Sequence, residues 1–200
     1  MTLEITKTAA RAKSSHTWPP SQGEWTYADY ARLPENGFRY EVIEGELFMS
    51  PAPRPNHQRV GLRLIVLLDA FVEKNQLGEL YHAPIDLNLP DLTSPVQPDI
   101  LFISTENLDI VKEKTIEGVP DLIIEVLSPG SIRYDRQTKF QIYAKAGVRE
   151  YWIVDPYPCA IDVFVLRGQA YVPLGSFKSA DQLRSEQFAD LTFQVQELCR

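Results

Sequence analysis

The chain is short of positive charge: its 20 Lys and Arg are outnumbered by 27 Asp and Glu, leaving a net charge of -7. That balance argues against a surface built for nonspecific nucleic-acid binding, which uses a basic face. It leaves room for a local basic groove, and for carboxylates clustered around a metal. Cysteine is also scarce. Cys159 and Cys199 give neither a disulfide framework nor a zinc pattern, which points to a reduced, cytoplasmic setting. No apolar run approaches the roughly 18–20 residues of a membrane span, and the first 22 residues lack an apolar core of signal-peptide type. What remains, 44% hydrophobic and 24% charged over 200 residues, suits one soluble domain with a real core.

Residues 1–23, with their Thr, Ser, Lys and Pro, read as a flexible tail before a single domain over 24–200. A short helix is expected at 26–34, capped by Thr26 and stopped by Pro34. "FRYEVIEGELFMSP" reads as a β-hairpin turning at Glu44-Gly45. After a proline-rich link, Asn56 is placed to cap a helix running from His57 to about Asn75. There Val60, Leu64, Leu67, Leu68, Phe71 and Val72 recur at spacings of three and four. Strands are expected at 78–90, 96–104, 121–127 and 150–156, with a helix from about Asp135 to Ala146 and a closing hairpin at Arg167-Gly168. The connector at 107–118 reads as polar and part helical. This order makes an α/β fold: a mixed sheet with a strand–helix–strand unit at its centre and added hairpins.

Within "GVPDLIIEVLSPGS" (118–131) one carboxylate, Glu125, stands in an apolar run. Strand alternation sets Asp121, Ile123, Glu125 and Leu127 on one face, and both faces are apolar enough to be covered. A carboxylate buried there needs a proton or a cation. Asp99 opens the strand "DILFI" after Pro98, at a sheet end where a cleft can form. If the two strands are neighbours, Asp99 and Glu125 can share a hard divalent cation. On the following helix Asp135, Lys139 and Tyr143 recur four apart, and Lys139 can reach back toward Glu125. Two carboxylates, a metal and a lysine are parts suited to phosphodiester hydrolysis. The competing structural reading pairs Glu125 with Lys139 or Arg133 as a buried ion pair.

The segments "YEVIEGELFMSPAPRPNHQ", "QPDILFI", "GVPDLIIEVLSP" and "YDRQTKFQIYAKAGVREYWIVDP" resemble the Uma-type family of restriction-endonuclease-like proteins. This family is a branch of the PD-(D/E)XK nuclease superfamily, and the similarity spans about residues 25–195. The resemblance implies a mixed-sheet core flanked by helices and a magnesium- or manganese-dependent site that cuts DNA. It matches Asp99 and Glu125 to the two acidic positions and adds the Val126 carbonyl as a metal ligand. Glu46 is its best match for a further acidic group, with Glu44 second. The superfamily pattern wants lysine where this chain has Leu127, so Lys139 is expected to replace it. His57, Asp135 and Tyr143 are candidate supporting residues. A homodimer is expected by analogy. Two other readings stand beside the nuclease: an inactive binding or assembly module of the same fold, and a hydrolase of something smaller than DNA. Arg54, Arg59 and Arg63 read as solvated surface charge, and Glu150 and Asp155 as turn or helix-end residues.

Overall fold

A computed structural model of the chain describes residues 18–34, 36, 38–50, 53–92 and 94–200. The expected tail therefore lies outside the described residues up to position 17. The first described residues are seated on the fold. Gln22 exchanges two hydrogen bonds with the Leu47 backbone (2.7 and 2.9 Å), and Arg32 lies 4.0 Å over the Trp18 ring.

Helix α1 (Tyr27–Tyr30) has the expected Thr26 cap, completed as a capping box by Asp29. Strands β1 (Arg39–Ile43) and β2 (Glu46–Ser50) pair antiparallel. Their two-residue turn has Glu44 and Gly45 both at positive φ, as tight hairpins require. Helix α2 (Pro55–Asn75) starts two residues earlier than expected. Arg54 is its N-cap without a side-chain bond, so Asn56 lies inside the first turn and does not cap it. Proline at the first helical position needs no N–H partner.

The segment read as one strand at 78–90 is two, β3 (Gly78–His82) and β4 (Asp86–Asn88), broken at Ala83-Pro84. Strand β5 (Ile100–Ser104) runs into a 3-10 turn (Thr105–Ile110). The polar connector holds a short strand, β6 (Thr115–Glu117), parallel to β4. Strand β7 (Leu122–Val126) follows. The next helix opens with a π-helical segment (Tyr134–Lys139) before α3 (Phe140–Ala146), which ends at left-handed Gly147. Strands β8 (Glu150–Asp155), β9 (Ala160–Arg167) and β10 (Ala170–Lys178) complete the order.

Six strands form the main sheet in the order β10-β9-β8-β7-β5-β3, with only β7 and β8 parallel. Because side chains alternate, β5, β7 and β8 feed two cores. Phe102, Ile124 and Trp152 meet α2 through Leu64 and Leu68. Leu101, Ile123 and Tyr151 meet α3 through Ile142 and Tyr143, with Ile43 of the hairpin added. Every residue of β7 is buried, as expected for a central strand covered on both faces.

The expectation that the two cysteines give no disulfide framework is corrected. Cys159 and Cys199 are joined in a disulfide that closes the C-terminal segment onto the start of β9.

Candidate active site

The β5–β7 register pairs Ile100 with Ile124, so Asp99 and Glu125 are the next positions at the same end of the sheet. Asp99 Oδ2 accepts the Val126 N–H at 2.9 Å and stands 3.1 Å from His57 Nε2. The Val126 backbone is thus engaged through its amide, while its carbonyl is the group that the family resemblance offers to a metal. Helix α2 contributes His57 from its first turn, next to Arg54, and both line the same cavity as Asp99.

Glu125 is 2% exposed and shares its Oε1 between two donors. Lys139 Nζ donates at 2.9 Å and the Tyr143 hydroxyl at 2.8 Å. Lys139 is itself 2% exposed and reaches Glu41 Oε1 at 3.3 Å and Asp135 Oδ1 at 3.8 Å. The π-helical turn carries this lysine, and such wide turns recur at functional sites. Tyr134 anchors the turn by stacking on Phe48, ring centroids 4.0 Å apart.

The structure brings Asp99, Glu125, Lys139, His57 and Asp135 to one cavity of about 120 Å³, with Tyr143 bonded behind it. It does not bring Glu46 there. Glu46 and Glu44 line a separate cavity of about 320 Å³ beside Lys145. The reason is register: Glu46 opens β2 next to the turn, whereas Glu41 lies two residues inside β1 and faces the cluster. Glu41, 4% exposed, is the carboxylate that sequence reasoning missed. Its signal was the one that exposed Glu125, an acid inside an apolar-alternating arm. Gln97 N–H donates to its Oε1 at 2.8 Å.

Burial pushes the Asp135 carboxyl above the ordinary carboxylate range, with the Lys139 ammonium and a Ser131 hydrogen bond opposing it. Burial, helped by the Glu125 charge, holds the Tyr143 hydroxyl protonated far above its usual range, so it acts as a donor. Among the described residues, no three His, Cys, Asp or Glu side chains are already arranged around a metal ion. The donor chemistry nevertheless suits one. Four carboxylates, Glu41, Asp99, Glu125 and Asp135, line a cavity in which Lys139 is the ammonium, and hard oxygen donors are what magnesium and manganese select.

A six-stranded mixed sheet with helices on both faces and paired carboxylates at one end of two central strands defines a nuclease-like α/β fold. It matches the crystal structure of "a putative nuclease belonging to DUF820" from Anabaena variabilis with a TM-score of 0.72. The two share 19% identity, over 88% of this chain and 97% of that one. Within that class the chain belongs to the Uma2 family, described as "Putative restriction endonuclease", whose pattern matches residues 27–196. Two Synechocystis proteins are similar. Uncharacterized protein sll1609 is 27% identical over 134 residues, 66% of this chain and 75% of its own length. Uncharacterized protein slr1290 is 22% identical over 165 residues, 81% of this chain and 84% of its own.

Proposed function

We propose that the chain is a divalent-metal-dependent nuclease that hydrolyses DNA phosphodiester bonds. The observation that carries this reading is the buried Lys139 ammonium, 2.9 Å from Glu125 and in the same cavity as Asp99. It occupies the role of the lysine that Leu127 leaves unfilled. Asp99, Glu125 and the Val126 carbonyl would hold magnesium or manganese, with Glu41 in the place first assigned to Glu46. A bound cation supplies polarisation of a phosphoryl oxygen and a more acidic water.

The protein's own groups do the rest. Lys139 presents its charge to oxygen that becomes negative as the phosphate is attacked. The Tyr143 hydroxyl holds Glu125, while His57 and the Val126 amide hold Asp99. Fixed donors of this kind cost no reorganisation during reaction. Arg54, at the cavity wall, supplies local positive charge for a phosphate despite the acidic whole.

The test is cleavage of supercoiled plasmid with magnesium or manganese, beside thermal melting under titration with either ion. Wild type is expected to cut and to melt higher with metal. Glu125→Gln should lose at least about a hundredfold in rate and most of the metal-induced shift. Metal-independent melting together with no cleavage of any DNA would overturn the nuclease and leave the binding-module reading.

A further inference from the structure

The longest helix carries an apolar stripe on the side away from the core. While Val60, Leu64, Leu68 and Val72 of α2 are buried, Leu62 and Val66, one turn apart, are each 62% exposed. Single exposed apolar residues are ordinary; the charges flanking this pair are the informative feature. Exposed Arg59 lies three residues before Leu62, and exposed Asp69 three after Val66, with exposed Glu73 continuing the line. Spacings of three and four through 59, 62, 66, 69 and 73 make a heptad seam along the helix. No salt bridge among the described residues engages Arg59 or Asp69.

Reversed about Leu64, the seam matches itself. Leu62 falls beside Val66, and Arg59 beside Asp69, once on each side of the centre. Parallel pairing would instead oppose Arg59 to Arg59 and Asp69 to Asp69, which like-charge repulsion disfavours. A two-fold interface requires this kind of self-complementarity.

We propose that the outer face of α2 is the interface between two copies of this chain, paired antiparallel about a two-fold axis at Leu64. Apolar contact at Leu62 and Val66 forms its centre, and two Arg59–Asp69 pairs set its register. His57 lies seven residues from the axis, so the two cavities stand roughly 20 Å apart along the helix direction. Each copy keeps a complete site, and the pair presents two.

Sedimentation equilibrium of the full chain tests this. Wild type is expected to dimerise in the micromolar range. Arg59→Asp and Asp69→Arg should each weaken the dimer at least about tenfold, and the double reversal should restore it. Leu62→Lys should give monomer, with a melting curve unchanged from wild type at concentrations low enough that both are monomeric, because the side chain is outside the core; Val66→Lys repeats the test at the other seam position. A wild-type monomer throughout, a dimer indifferent to both lysine variants, or a double reversal as weak as the single ones overturns the proposal. Neither Arg59 nor Asp69 lines the cavity, so this result is separate from plasmid cleavage.

Discussion

Lys139 is an ammonium with almost no access to water, set among Glu125, Glu41 and Asp135. Replacing it with methionine keeps much of its volume and leaves buried carboxylates without their counter-charge. Lys139→Met should therefore cost about 3–5 kcal/mol in stability, as breaking a buried pair does, measured by urea denaturation. Plasmid cleavage should fall by about 10²–10³. Magnesium should restore part of the lost stability, since a cation can substitute for the missing charge. Asp135 has the opposite energetic sign. Its folded value is raised above the ordinary 3.8, chiefly by burial. The native state thus holds a proton that the unfolded chain releases over the interval between the two values. Stability falls as pH climbs through that interval, and the deficit persists above it. Asp135→Asn should melt higher than wild type at neutral pH, with the advantage shrinking as pH falls toward 3.8. Glu125 was legible in sequence because an acid in an apolar strand needs compensation, and Asp99 because it follows Pro98 at the end of a strand. Glu41 carries a similar signal, but Glu44 and Glu46 stand in the same hairpin, and only tertiary docking decides which acid meets Lys139.

The β1–β2 hairpin delivers Glu41, and its turn is held against the chain before it. Gly45 has φ +79, and a Cβ there would lie 2.4 Å from the Gly23 carbonyl oxygen. The Gly45 carbonyl accepts the amides of Gly23 and Trp25 at 2.8 and 2.9 Å. Gly45→Ala should cost about 1–3 kcal/mol through the left-handed backbone and this clash. It should also slow cleavage, because displacing the turn loosens Glu41. Gly168→Ala is the control: φ is +64 and nothing lies within 4 Å of its Cβ, so it should cost about 1 kcal/mol and leave cleavage by folded protein unchanged. Melting curves and plasmid cleavage on both variants separate the two effects. Elements with strong periodicity, α2 above all, were readable. The π-helical turn was not, since its residues carry the same spacing as an α-helix; Tyr134 of that turn stacks on Phe48, a contact between residues far apart in sequence that local spacing does not encode. Strand β6 has three residues, too few for alternation to register.

At the scale of the molecule, the strand–helix–strand centre and its hairpins followed from strand and turn patterns, whereas the closure of the C-terminal segment did not. Besides the burial of Phe188, Phe193, Val195 and Leu198 in the core, two polar or covalent links contribute to that closure. Glu150, expected in a turn or helix end, is buried in β8. It accepts from Trp152 Nε1 and Ser185 Oγ, both at 2.6 Å, and from the amides of Glu186 and Gln187 at 2.8 and 3.0 Å. The second link is the bond between Cys159 and Cys199, 40 residues apart. Two cysteines at that separation carry no pairing signal in sequence, because chain distance says nothing of where β9 and the C-terminus meet. A cross-link closing a loop of this size restricts the unfolded chain and stabilises the fold by up to about 4 kcal/mol. Cys199→Ser should lower stability in urea by that order, and a reducing agent should lower wild type to the same level without moving the variant further. If reduction leaves the wild-type curve in place, the two sulfurs are free thiols in the folded protein, and the segment is held without a cross-link by the hydrogen bonds of Glu150 and by the burial of Phe188, Phe193, Val195 and Leu198.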